Sequence, residues 1–189
     1  PAPAPPAAPA PPAALPAAPA SAPAPGGRQD WRPPSVDAAS LPQTRDRPAA
    51  TGPAFDARAR ALWDAVAHDD AERGLPAFFP LEAYRQVKAV ADPARDWNRR
   101  LAGAYRRDLH ALHLRLGRRA AEARLVGLVV PEGRARWVEP GEEWNRIGYW
   151  RVFGARLEYE VEGRRRAFPV TSLISWRGEW YVVHLSAFK

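Results

Sequence analysis

Arg166–Lys189, RAFPVTSLISWRGEWYVVHLSAFK, is the stretch whose reading decides the fold class of this chain. Phe168–Trp176 and Trp180–Leu185 are rich in β-branched and aromatic residues, which fit a pleated surface. Between them stand Arg177 and Gly178. A two-residue loop ending in glycine suits a primed hairpin turn, because glycine takes positive φ without steric cost. That turn sets a register. Trp176 faces Glu179, Ile174 faces Tyr181, Ser172 faces Val183 and Val170 faces Leu185. The other face pairs Ser175 with Trp180, Leu173 with Val182 and Thr171 with His184. Both faces are largely apolar, so the hairpin is expected to be central and covered on both sides.

Working back from the hairpin, Tyr149–Val161 alternates strictly near its end: Leu157, Tyr159 and Val161 face one way, Glu158, Glu160 and Glu162 the other. A Glu162-Gly163 turn returns the chain along Arg164–Trp176 and sets Glu160 beside Arg165. Leu125–Val130 is an apolar run of strand length. Arg134–Val138 reads as a further strand, or its continuation, after the Pro131-Glu132-Gly133 interruption. Upstream the period changes to that of a helix. Phe55, Ala59, Leu62, Trp63 and Val66 form one apolar stripe in a first helix over 54–73. Leu75–Pro80 reads as a buried connection and Pro80–Val90 as a short second helix. Asp92-Pro93 opens a third, which runs to Leu116 and stops at Gly117. Helices followed by a meander indicate an α+β fold: three N-terminal helices packed on a curved antiparallel sheet of four to five strands.

The first fifty residues differ from the rest. They hold fifteen of the 22 prolines, mixed mainly with alanine. Such a segment buries too little apolar surface to offset its ordering entropy. Residues 1–52 are therefore expected to be a disordered Pro/Ala-rich linker and 53–189 a single α+β domain. A tether of this kind ahead of one domain matches a mature exported protein or lipoprotein, so an extracytoplasmic location is expected, with membrane contact only through an N-terminal anchor. Cysteine is absent, which excludes disulfides and thiol chemistry. No apolar run approaches the roughly 20 residues needed to span a bilayer.

The net charge of +7 comes from 26 Arg and two Lys, Lys88 and Lys189. Arg99, Arg100, Arg106, Arg107, Arg115, Arg118 and Arg119 make a basic strip along the third helix. A strip of this kind attracts anionic polymers, but no nucleic-acid motif accompanies it. A solvated helix face is the expectation, and nucleic acid is not an expected partner.

Three N-terminal helices, then long antiparallel strands closing in SLISWRGEWYVVHL, resemble the nuclear transport factor 2-like, or cystatin-like, cone superfamily. The likeness spans Phe55–Phe188 and is carried by the order of elements and by the final hairpin. It implies a cone with an internal pocket. The superfamily holds isomerases, dehydratases and cyclases beside non-catalytic binding modules, so it implies no single reaction. The early strand usual between the second and third helices is not evident in this sequence.

Asp108 is the sharpest local anomaly. At about 100° per residue it falls on the apolar face of the third helix with Trp97, Leu101, Tyr105, Leu112 and Leu116. A carboxylate there is either held by a local donor or lines a pocket. His184 is the one strand histidine. In a cone, Asp108, Tyr105 and His184 would converge as an acid/base set if the domain is an enzyme. His110 and His113, at i and i+3, lack the companion ligands of a metal site, and no metal or cofactor is expected. Trp137, Trp144 and Trp150 surround a loop bearing Glu142 and Glu143, a combination that would bind a sugar or a cationic ligand by stacking. No phosphate loop or nucleophile elbow is present. The chain is thus expected to be a non-catalytic, tethered domain binding a small molecule or partner protein. The alternative is a small cofactor-free cone-fold enzyme of the isomerase or dehydratase type.

Overall fold

Arg177 and Gly178 both take positive φ, 53° and 76°, as a type I′ turn requires. Glu162 and Gly163 do the same at 53° and 67°. These two turns join β3 (Tyr149–Val161), β4 (Arg164–Trp176) and β5 (Glu179–His184) into an antiparallel meander. The computed structural model describes residues 43–186. Along the other edge of β3 lie β1 (Arg124–Val129) and β2 (Arg136–Val138), end to end and separated by a 3₁₀ turn at Glu132–Arg134. Glu160 stands opposite Arg165, as expected.

The expected register of the final hairpin holds from Trp176↔Glu179 to Leu173↔Val182 and then breaks. A bulge sets Ser172 opposite His184, not opposite Val183, and Thr171 instead donates to the Leu185 carbonyl at 3.1 Å. A bulge adds one residue to one strand and so reverses the side-chain alternation beyond it. His184 therefore sits on the face of Ser172 and Ile174, the face opposite to the one expected.

The helical part comprises α1 (Pro53–His68), α2 (Leu81–Val87), a short α3 (Pro93–Asp96) and α4 (Gly103–Leu116), the last two joined by a π-helical turn over Trp97–Ala102. The fold is α+β. Trp63 of α1 packs on Tyr159, and Tyr159 stacks on Phe168 with centroids 4.7 Å apart. The π turn matters for the reading of the long helix. It takes more than 3.6 residues per turn and shifts the phase of everything that follows. Leu109, not Asp108, occupies the buried stripe with Tyr105, Leu112 and Leu116.

The connection Leu75–Pro80 is buried at Ala77, Phe78 and Phe79. Phe79 N–H donates to the Val182 carbonyl and Val182 N–H to the Ala77 carbonyl. These bonds cover the outer edge of β5, which would otherwise present unpaired backbone. Lys88 and Asn145 form an isolated antiparallel bridge between the end of α2 and the loop before β3.

Both faces of the hairpin are covered, but one cover was not anticipated. Gln43–Ala50, assigned by composition to the linker, forms a strap across the face carrying Trp150 and Trp180. Gln43 Nε2 donates to the carbonyls of Gly148 and Ser175, and its Oε1 accepts from Arg177 N–H. Trp180 Nε1 donates to the Pro48 carbonyl and Trp150 Nε1 to that of Arg45. Gln43–Ala50 thus packs on the sheet although it lies ahead of the expected boundary at residue 53. Composition hid this because the strap is held by polar bonds to the sheet and not by an apolar pattern of its own. The remainder of the expected linker, 1–42, lies outside the described residues.

Candidate functional site

Between the helices and the cavity-side face of the β3–β4–β5 meander lies a cavity of about 330 Å³. That is at the small end of the range for small-molecule sites. The sheet contributes Tyr149, Arg151 and Phe153 from β3, Ser172 and Ile174 from β4, and Val183 and His184 from β5. Both members of the bulge, Val183 and His184, face inward. Tyr84 and Lys88 come from α2 and its end, and Arg100 and Leu101 from the π turn. Two departures from regular structure supply part of the polar lining: the β-bulge aims His184 and the π turn aims Arg100.

The charged groups fall into pairs, with one exception. Arg100 spans Asp96 through Nε at 3.0 Å and one terminal nitrogen at 2.8 Å; the same nitrogen donates to Tyr84 Oη at 2.7 Å. Tyr84 in turn donates to Asp96. Burial, reinforced by that bond, pushes the Tyr84 hydroxyl up to about 12. The Arg100 bond holds the Asp96 carboxyl below its usual range. Glu143 accepts from Tyr149 Oη at 2.7 Å and pairs with Arg151, with Arg136 at 3.5 Å. Lys88 is the exception. Its ammonium donates to the Glu143 backbone carbonyl at 2.9 Å and has no carboxylate within ion-pair distance among the described residues. Burial and the nearby Arg100 charge lower its pKa.

His184 stands in the same positive field. Burial first, then the charges of Arg100 and Lys88, depress its pKa to about 4, with Asp108 opposing. It is a neutral imidazole near neutral pH.

Of the three residues expected to form an acid/base set, His184 lines the cavity and the other two do not. Tyr105 is buried against Phe78, 4.1 Å between centroids, and donates to the Gly74 carbonyl at 2.9 Å. Asp108 Oδ2 accepts from Ser186 N–H at 3.1 Å and from its hydroxyl at 2.8 Å, fastening the chain end after β5. The tryptophans are also dispersed. Trp137 and Trp150 meet edge to face at 5.9 Å under the strap, with Arg45 over one ring and Arg47 over the other. Gly148 permits this packing, since a Cβ there would stand 2.3 Å from the Trp137 ring. Trp144 is 79% exposed. His110 pairs with Asp69, and His113 bonds the Val66 carbonyl. No group of three metal-ligating side chains occurs among the described residues.

The residues that sequence reasoning missed are Tyr84, Lys88, Tyr149 and Arg151; Arg100 it assigned to a solvated face, and Glu143 to an aromatic loop for a sugar or cation, whereas its carboxylate is taken up by Arg151 and Tyr149. One signal was available. In a chain that uses Arg almost throughout, Lys88 is the single lysine before the terminal residue. Arg151 was also visible as a charge on the inward parity of β3. No family model matches this chain, and no curated protein or solved structure matches it.

Proposed function

We propose that this domain is a non-catalytic small-molecule-binding module built on a cone of the nuclear transport factor 2-like type, tethered outside the cytoplasm by its Pro/Ala-rich N-terminal segment. The observation that carries the binding reading is the cavity itself: a mixed lining of Phe79, Leu101, Phe153 and Ile174 with a few convergent polar groups. The order of elements and the closing hairpin support the cone. The composition of the first fifty residues supports the tether.

His184 in the lining favours one further reading, the cofactor-free acid/base enzyme. Its low pKa argues against that role. A group that protonates near 4 is a weak base at neutral pH, well away from the match that general-base catalysis needs. The two residues expected to assist it are occupied elsewhere by structural bonds. Binding is the reading that uses what the cavity offers.

The test is titration with N-phenyl-1-naphthylamine, an uncharged fluorophore that brightens on leaving water. Saturable enhancement is expected for the wild type. Ile174→Trp, which fills the cavity, should abolish it while circular dichroism remains native. Equal enhancement by the filled variant would show that the dye binds elsewhere and would overturn the reading.

A further inference from the structure

The charge arrangement of the cavity narrows its ligand. Arg100 is matched by Asp96, and Arg151 by Glu143. Asp96 reaches Arg100 from the turn before it, and Glu143 reaches Arg151 from the loop before β3, so each pair is closed by the fold itself. Lys88 is left with a positive charge and a neutral carbonyl partner. A half-buried ammonium without a counter-ion carries part of the cost of a desolvated charge. That cost falls when an anion arrives. Arg151 flanks the same residue, since Lys88 bonds the Glu143 backbone and Arg151 its carboxylate. Around them the lining is apolar and aromatic: Phe79, Leu101, Phe153 and Ile174.

Resting on the binding reading above, we propose that the cavity takes a small amphipathic carboxylate, its anionic end held by Lys88 and its apolar body lying against Phe79, Leu101 and Phe153. A carboxylate supplies one charge, which the single unmatched cation neutralises. Its oxygens accept a charge-assisted hydrogen bond from the ammonium. A cationic ligand would meet Lys88, Arg100 and Arg151 and be repelled. A neutral ligand would leave the Lys88 charge uncompensated. The cavity volume of about 330 Å³ admits a body of one aromatic ring and a short chain.

The experiment is competition for bound N-phenyl-1-naphthylamine by 4-phenylbutyrate and by 4-phenylbutan-1-ol, which share the body and differ in charge. The wild type should bind the acid at least about tenfold more tightly, the range of one hydrogen bond to a charged group. Lys88→Met should erase that preference and leave the affinity for the alcohol within about twofold. Lys88→Arg, which restores the charge, should recover most of it. Folding of each variant is checked by urea denaturation. Equal affinity for acid and alcohol in the wild type overturns the proposal while the cavity remains a binding site. A preference that survives Lys88→Met removes Lys88 as the anchor and overturns it too. Failure of the dye to bind at all takes down the underlying binding reading, a distinct outcome read before either competitor is added.

Discussion

The two halves of the β3–β4 ribbon are built to different rules. The half that ends at the Glu162-Gly163 turn alternates along β3 and again over Phe168–Val170: Leu157, Tyr159, Val161, Phe168 and Val170 are buried, while Arg156, Glu160 and Pro169 are exposed, and Arg164–Ala167 beside the turn stay in water. The other half breaks its own pattern. It is covered on both faces, its neighbour β5 carries a bulge, and Arg151 points into a cavity already holding Lys88 and Arg100. Regularity serves stability, because an unbroken apolar face packs without voids. Irregularity serves the site, because a bulge or a π turn re-aims a side chain that the period would have sent elsewhere. Local rules are expected to fail where function lies.

That contrast predicts a gradient of effects. Phe168→Ala, in the regular half, should cost about 3–5 kcal/mol by urea denaturation. It deletes a side chain that is 1% exposed and stacked on Tyr159. Lys88→Met, in the irregular half, should change stability by about 1 kcal/mol at most, because it removes a desolvated charge along with a single bond to a carbonyl. If the two cost the same, the division of labour between the halves is wrong. Between these extremes stands the strap. Gln43→Ala removes three hydrogen bonds to the sheet edge and its turn. It should cost about 1–3 kcal/mol by urea denaturation, and an unchanged midpoint would mean that the strap does not hold the sheet.

The pH dependence sharpens the comparison from the electrostatic side. His184 has a folded pKa of about 4, below its ordinary 6.5. Between those values the unfolded chain binds a proton that the folded chain does not. Stability should therefore fall as pH drops from about 6.5 toward 4 and then level off for this group. His184→Gln should flatten that segment of the profile, and a slope unchanged by the substitution would mean that the imidazole is not held neutral. The smallest effect belongs to the regular half. Glu162 takes a positive φ that asparagine adopts more readily. Glu162→Asn should raise stability by a few tenths of a kcal/mol, the gain being offset in part by loss of the exposed pair with Arg119 at 3.9 Å. A fall in melting temperature would show that the pair outweighs the turn.

The boundaries of β3 and β4, both primed turns and the inner part of the β4–β5 register were legible because each depends on neighbours in sequence: period two, a glycine at the turn, a β-branched run. The burial of Phe78 and Phe79 was legible from their apolar setting. The candidate site was legible in Glu143, read as part of an aromatic loop, and in His184, for a reason the structure reverses. Its expected partner, Thr171, is on the other face; Ser172 stands opposite it instead. Asp108 looked anomalous because a uniform helical period was carried across Trp97–Ala102, where the helix widens. Lys88, Glu143 and Arg151 converge from α2, a loop and β3, and no local pattern relates them.

From sequence alone came the class of the fold, the order of its elements, the turns, the apolar faces and the absence of thiol chemistry, all properties of short windows in which side-chain shape and backbone preference act directly. Tertiary structure decided which way His184 points, which charges find partners, which is left over, and that Gln43–Ala50 belongs to the folded body. Those outcomes depend on one-residue shifts of phase and on groups far apart in the chain, whose energies exist only once the backbone has closed around them.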